Sequence, residues 1–208
     1  MSEVLDAIEW LSHASFRIEH RGKVIYVDPW KIKDLKLADL ILITHPHFDH
    51  FSEEDILKLS KDETCLVLPE NVKISFLKDT NIVTMVPYDH KEVAGFKIRA
   101  FPAYNINKDN HPKSNSWIGY VIEIDGVSIY HAGDTDLIFE MDDLDVDIAL
   151  LPIGGTYTMD GREAAQAAER VGAKIAIPMH YGSIVGSGQD LEVFKNNLST
   201  DIELRVLN

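Results

Sequence analysis

The segment Ala38-Asp39-Leu40-Ile41-Leu42-Ile43-Thr44 runs directly into His45-Pro46-His47-Phe48-Asp49-His50. Its first part is short and nearly all apolar, as expected of a strand buried on both faces. Three histidines and an aspartate then fall within six positions, a set able to offer nitrogen and oxygen ligands to divalent ions. In an extended segment His45 and His47 lie on one side and can grip one ion. Asp49 and His50, at the turn into the next element, can reach a second ion nearby.

Working outward, Ser52 to Ser60 carries an N-cap serine, early acids and apolar residues at helical spacing, and predicts a helix. Upstream, residues 15–20 and 23–29 flank the turn Arg21-Gly22 and read as a β-hairpin. Residues 64–69, 81–87 and 96–102 read as further strands. The second half repeats the order. A hairpin turns at Asp125-Gly126, a buried strand covers Asp147 to Leu151, and an alanine-rich helix ends near Gly172. Residues 174–180 read as a strand, 190–199 as a helix and 202–207 as a closing strand. Strands first and helices later, twice over, predict two sheets packed face to face with helices outside.

Ligand-type residues recur at strand ends. Asp134 follows the strand ending His131-Ala132-Gly133 and can bridge two ions, and His180 ends the strand before Tyr181. The loop from Ala103 to Ser116 is long, polar and rich in Asn, Lys and His, which marks it as functional. Gly154 and Gly155 allow a close backbone approach, consistent with a wall of the site. Asp160 reads as the cap of the alanine-rich helix.

The pattern His45-x-His47-x-Asp49-His50 resembles the metallo-β-lactamase superfamily. Trp10 to Phe16, Asp28-Pro29 and His131 to Thr135 resemble its ascorbate-6-phosphate lactonase branch. The resemblance implies one domain over residues 1–208 with an αββα sandwich fold and a site between the edges of the two sheets. It implies that His45 and His47 hold a first metal, that Asp49, His50 and His180 hold a second, and that Asp134 bridges. The family supplies a third histidine to the first metal, and here Asn105 stands at that position. His111, in the same loop, is expected either to fold back as the replacement ligand or to touch substrate. His13 is expected to act beside the ligands or toward substrate, and His131 to orient a ligand or to be a satisfied core histidine. His20 and His90 carry no supporting pattern.

The chemistry expected is hydrolysis of a small ester, lactone or phosphodiester, with one or two divalent ions activating water. Zinc leads, and manganese, nickel and iron are admissible. Asp49 or Asp134 would orient the water and accept its proton. Lys108, Lys113 and His111 suggest an anionic substrate group. A di-iron oxidoreductase, a nuclease and a mononuclear or non-catalytic metal-binding protein are the competing classes. With 20 Lys and Arg against 34 Asp and Glu, the net charge of −14 argues against nucleic acid as partner. The only cysteine, Cys65, excludes an internal disulfide and reads as a small hydrophobe. No apolar run suits a signal peptide or a membrane span, so a cytoplasmic location with no membrane partner is the expectation.

Overall fold

A computed structural model describes residues 1–77 and 81–207. The first sheet holds β1 (Ile8–Ser12), β2 (Ser15–His20), β3 (Lys23–Val27), β4 (Leu40–Leu42), β5 (Cys65–Pro69) and β6 (Asn81–Met85), side by side in that order. The first three are antiparallel, and β3 to β6 run parallel. The second sheet holds β7 (His90–Val93), β8 (Phe96–Pro102), β9 (Ile118–Ile124), β10 (Val127–His131), β11 (Ile148–Pro152), β12 (Ile175–Met179) and β13 (Glu203–Leu204). It too begins as an antiparallel meander and becomes parallel from β10 onward. Four helices accompany them: α1 (Ser2–Asp6), α2 (Glu53–Leu59), α3 (Gly161–Arg170) and α4 (Gly188–Asn197).

The all-apolar strands are a consequence of this layering. Side chains alternate across a strand, so a strand covered on both faces needs apolar residues at every position. In and after β4, Leu40 and Leu42 join the core between the sheets, and Ile41 and Ile43 join an outer core with Ile56 and Leu59 of α2. In β11, Ile148 and Leu150 face the inner core. Ala149 and Leu151 face Ala164, Ala168 and Phe194 on α3 and α4. Three cores separate four layers, α-β-β-α, as the sequence predicts.

Local signals act where expected. Ser52 accepts a hydrogen bond from Asp55 N, and Asp160 forms a full capping box with Glu163. Arg21-Gly22 and Asp125-Gly126 both have positive φ at the two turn positions, the twist a two-residue hairpin demands. Some elements differ from the sequence reading, which places neither α1 nor β1. The polar edge strand β7 lies where no strand is predicted, and the closing strand shortens to Glu203–Leu204. Among the described residues no helix is long and apolar enough to cross a membrane.

The two sheets are tied together beside the histidine run. The buried Tyr120 hydroxyl on β9 donates to Ile43 O at 2.7 Å, and Ile118 N donates to Thr44 O. The second sheet thereby grips the end of β4, where the ligand-type residues begin.

Candidate metal centre

The chain ends of β1, β4, β8, β10 and β12 converge on one edge of the sandwich and bring their polar residues together. Asp134, after β10, is the hub. Its Oδ2 lies 3.9 Å from His45 Nε2, 3.2 Å from His111 Nε2 and 3.1 Å from His180 Nε2. Its Oδ1 lies 3.3 Å from His50 Nε2. On one side His45, His47 and His111 form a group, and on the other His13, Asp49, His50 and His180 form a second. Within each group one ligand atom per residue lies within 4.8 Å of every other.

The hydrogen bonds around these rings aim them. Asp28, directly after β3, accepts from Thr44 N at 2.8 Å and Thr44 Oγ1 at 2.6 Å, and its Oδ2 lies 2.7 Å from His50 Nδ1. Thr44 Oγ1, having donated to Asp28, is left to accept from His45 Nδ1 at 2.9 Å. Both imidazoles therefore carry a proton on Nδ1 and turn Nε2 inward, an assignment made from the network. His45 Nε2 and His47 Nδ1 face each other at 3.0 Å, a spacing at which one His47 tautomer donates to His45 and the other leaves both nitrogens to share a cation. Burial pushes the His45 pKa well below its ordinary value and lowers those of His47 and His13. Neutral imidazole is the form a metal needs. His50 is the exception: burial opposes its charge, but the Asp134 and Asp28 carboxylates outweigh that and raise its pKa well above normal. Burial likewise opposes the charge on Asp134, yet His180 and His50 hold its pKa well below the usual carboxylate range.

The third ring of the first group is His111. Asn105 occupies no ligand position. Its Oδ1 accepts from His111 N at 3.0 Å and from His111 Nδ1 at 2.9 Å, while its Nδ2 donates to Asp136 Oδ1 and Tyr157 O. Asn105 N donates in turn to His111 O at 2.7 Å, folding the six-residue excursion back on itself. The asparagine is thus the bracket that delivers the histidine.

His13 sits in the tight turn between β1 and β2 with its Nε2 3.1 Å from Asp49 Oδ2 and its ring 3.9 Å from that of His180. His180 N donates to His13 O at 2.9 Å. His13, Asp28 and His180 all hold positive φ, a rare conformation for non-glycine residues that concentrates at functional sites. Gly154 makes this possible at His180, because a Cβ there would strike the His180 carbonyl. His131 is not part of either group. Its Nε2 donates to Ala14 O at 2.9 Å and its Nδ1 accepts from Gly133 N, so it clamps the backbones beside His13 and Asp134.

Two expectations need correction. Lys108 Nζ is bound to Asp136 Oδ1 at 2.5 Å, and Lys113 Nζ to Glu140 Oε1 at 2.7 Å, and neither lines the pocket over the cluster. Asp28 and Asp136 organise the rings and the loop, roles that the sequence pattern alone does not assign them. Asp28 had a signal, since it follows an apolar strand as the other polar site residues do.

The residues fit a metal. The Nε2 atoms of His50, His111 and His180 and the Oδ1 of Asp134 are buried without hydrogen-bond partners. Each such atom costs about 1–3 kcal/mol when left unsatisfied, and a cation at their focus satisfies them together. Imidazole with carboxylate is a donor set suited to zinc and its neighbours.

This architecture and this cluster define a metal-binding member of the metallo-β-lactamase fold. A family profile described as "Beta-lactamase superfamily domain" matches residues 7–180. A UPF0173 metal-dependent hydrolase of Thermococcus onnurineus is 36% identical, over 96% of this chain and 95% of its own length. That of Pyrococcus horikoshii is 33% identical with the same coverage. A solved protein of Parabacteroides distasonis, described as a candidate metal-dependent hydrolase, superposes with a TM-score of 0.84 at 34% identity, covering 97% of this chain and 93% of that one. The chain belongs to the UPF0173 metal-dependent hydrolase family of the beta-lactamase superfamily. The Thermococcus and Pyrococcus relatives carry the UPF0173 description, not that of the lactonase branch.

Proposed function

We propose that this enzyme is a binuclear hydrolase. His45, His47 and His111 hold one divalent ion, Asp49, His50 and His180 hold a second, and Asp134 is shared between them. The observation that carries this reading is the buried Asp134 carboxylate with unpartnered imidazole nitrogens arrayed on both sides of it. Zinc is the favoured ion, because the donors are mainly nitrogen. Such ions polarise a carbonyl or phosphoryl oxygen and lower the pKa of water from 15.7 to about 7.

The protein's own groups supply the rest. Asp49 lines the pocket, and His13 Nε2 fixes its Oδ2. Burial raises the Asp49 pKa, but the His13 hydrogen bond and His50 outweigh it, so the net shift is downward and the group stays ionised. Ionised, with Oδ2 held by His13, it can bind a cation and orient the attacking water through Oδ1. Asp134 orients that water from the opposite side. Asp28, Asn105 and Thr44 keep the rings from turning.

The test is turnover after reconstitution with zinc or manganese, against nitrophenyl esters, lactones and phosphodiesters. Activity on one class is expected, lost on chelation and restored by the ion. Fully loaded protein inert toward all three classes would overturn the reading.

A further inference from the structure

The rim of the centre has a chemistry of its own. A pocket of 250 Å³ opens over the cluster, with His47, Asp49, His111 and Asp134 below and Phe48, Asn110, Tyr157 and Ile184 around the mouth. That volume lies under the roughly 300–1,000 Å³ of pockets for drug-sized ligands, so the occupant is small. Phe48 is 69% exposed, Ile184 40% and Tyr157 37%, three large apolar side chains left in water around one opening. Scattered singly these would mean little, but gathered around a cleft they mark a contact surface. Phe48 is also braced, its ring edge-on to the buried Trp30 at 6.1 Å.

No lysine or arginine lines this pocket among the described residues. The two loop lysines are tied to Asp136 and Glu140, and Lys31 lies over the Trp30 ring at 4.0 Å. A chain of net charge −14 repels anions over the remaining surface. An anionic group placed away from the metals would lose its hydration and gain no counter-charge.

We propose, resting on the hydrolase reading above, that the substrate carries an apolar group without negative charge beside the scissile bond, seated against Phe48, Tyr157 and Ile184. Only the reacting oxygen meets charge, at the floor. A phosphorylated or carboxylated flank is rejected.

Binding of hydroxamates to the zinc-loaded protein tests this without needing turnover. Benzohydroxamate is compared with its para-carboxylate derivative and with acetohydroxamate, by calorimetry. Benzohydroxamate is expected to bind about tenfold more tightly than the para-carboxylate. Phe48→Ala should weaken benzohydroxamate about fivefold to tenfold and leave acetohydroxamate unchanged. Ile184→Lys should improve the carboxylate derivative. Equal or tighter binding of the para-carboxylate derivative to the parent, or no response to Phe48→Ala, overturns the inference and leaves the hydrolase reading standing. Failure of every hydroxamate to bind the zinc-loaded protein overturns an ion open to substrate, and with it both the hydrolase reading and this inference.

Discussion

Replacing Asn105 by alanine removes four hydrogen bonds at once: two accepted from His111 and two donated, to Asp136 and Tyr157. Each is worth about 0.5–1.5 kcal/mol net, and some of the freed groups will recruit water, so the loss of stability should be about 2–4 kcal/mol. The more telling effect is on the metal. Removing a group that orients a ligand weakens metal binding about 10–100-fold, or about 1.4–2.7 kcal/mol. Because Asn105 touches His111 and none of Asp49, His50 or His180, that weakening should fall on one of two ions. Calorimetric titration of zinc into the apoprotein separates the two events, and urea unfolding of the apoprotein gives the stability change. Asn105→Asp should be worse, since it places a second carboxylate against Asp136. Two ions bound with parental affinity by Asn105→Ala, and an unfolding shift under about 0.5 kcal/mol, would refute the claim that Asn105 delivers His111.

Asp28→Asn should weaken metal binding about 10–100-fold, because the amide no longer holds the Nδ1 protons of the His50 and Thr44–His45 chain; unchanged zinc affinity would contradict this. His131→Phe leaves Ala14 O and Gly133 N without partners and should destabilise by about 2–4 kcal/mol in urea unfolding, while two ions still bind at saturating zinc. The pH dependence should show opposed slopes. The His50 pKa is raised in the folded apoprotein, so its ion pairs with Asp134 and Asp28 contribute fully below the unfolded value and are lost as pH rises through the folded one. Zinc must displace that same proton, so metal affinity should rise with pH where the apoprotein's stability falls; parallel slopes would argue against an imidazolium at His50.

Much of the fold and of the metal centre is legible in the sequence because it is local. The apolar run through Ile43 announces a strand covered on both faces, and the ligand types come within a few residues of it. Capping at Ser52 and Asp160 and the two hairpin turns are equally local. What is not legible depends on distant partners. His111 reaches the cluster only because Asn105 is held by Asp136 and Tyr157, which arrive on the loops after β10 and β11. Lys108 and Lys113 look like anion binders until Asp136 and Glu140, 28 and 27 positions away, are placed beside them. His13 meets His180 through a hydrogen bond between chain ends from opposite sheets. Strand β7 gives no signal because an edge strand with one buried residue in four has no apolar alternation to read.

The central claim is that His111 completes a first trio beside a second, intact ligand set. The direct measurement is the metal content of the reconstituted protein and of His111→Ala, by elemental analysis after removal of free zinc. The account predicts two ions per chain in the parent and one in the variant. Two ions in both, or one in both, would contradict it.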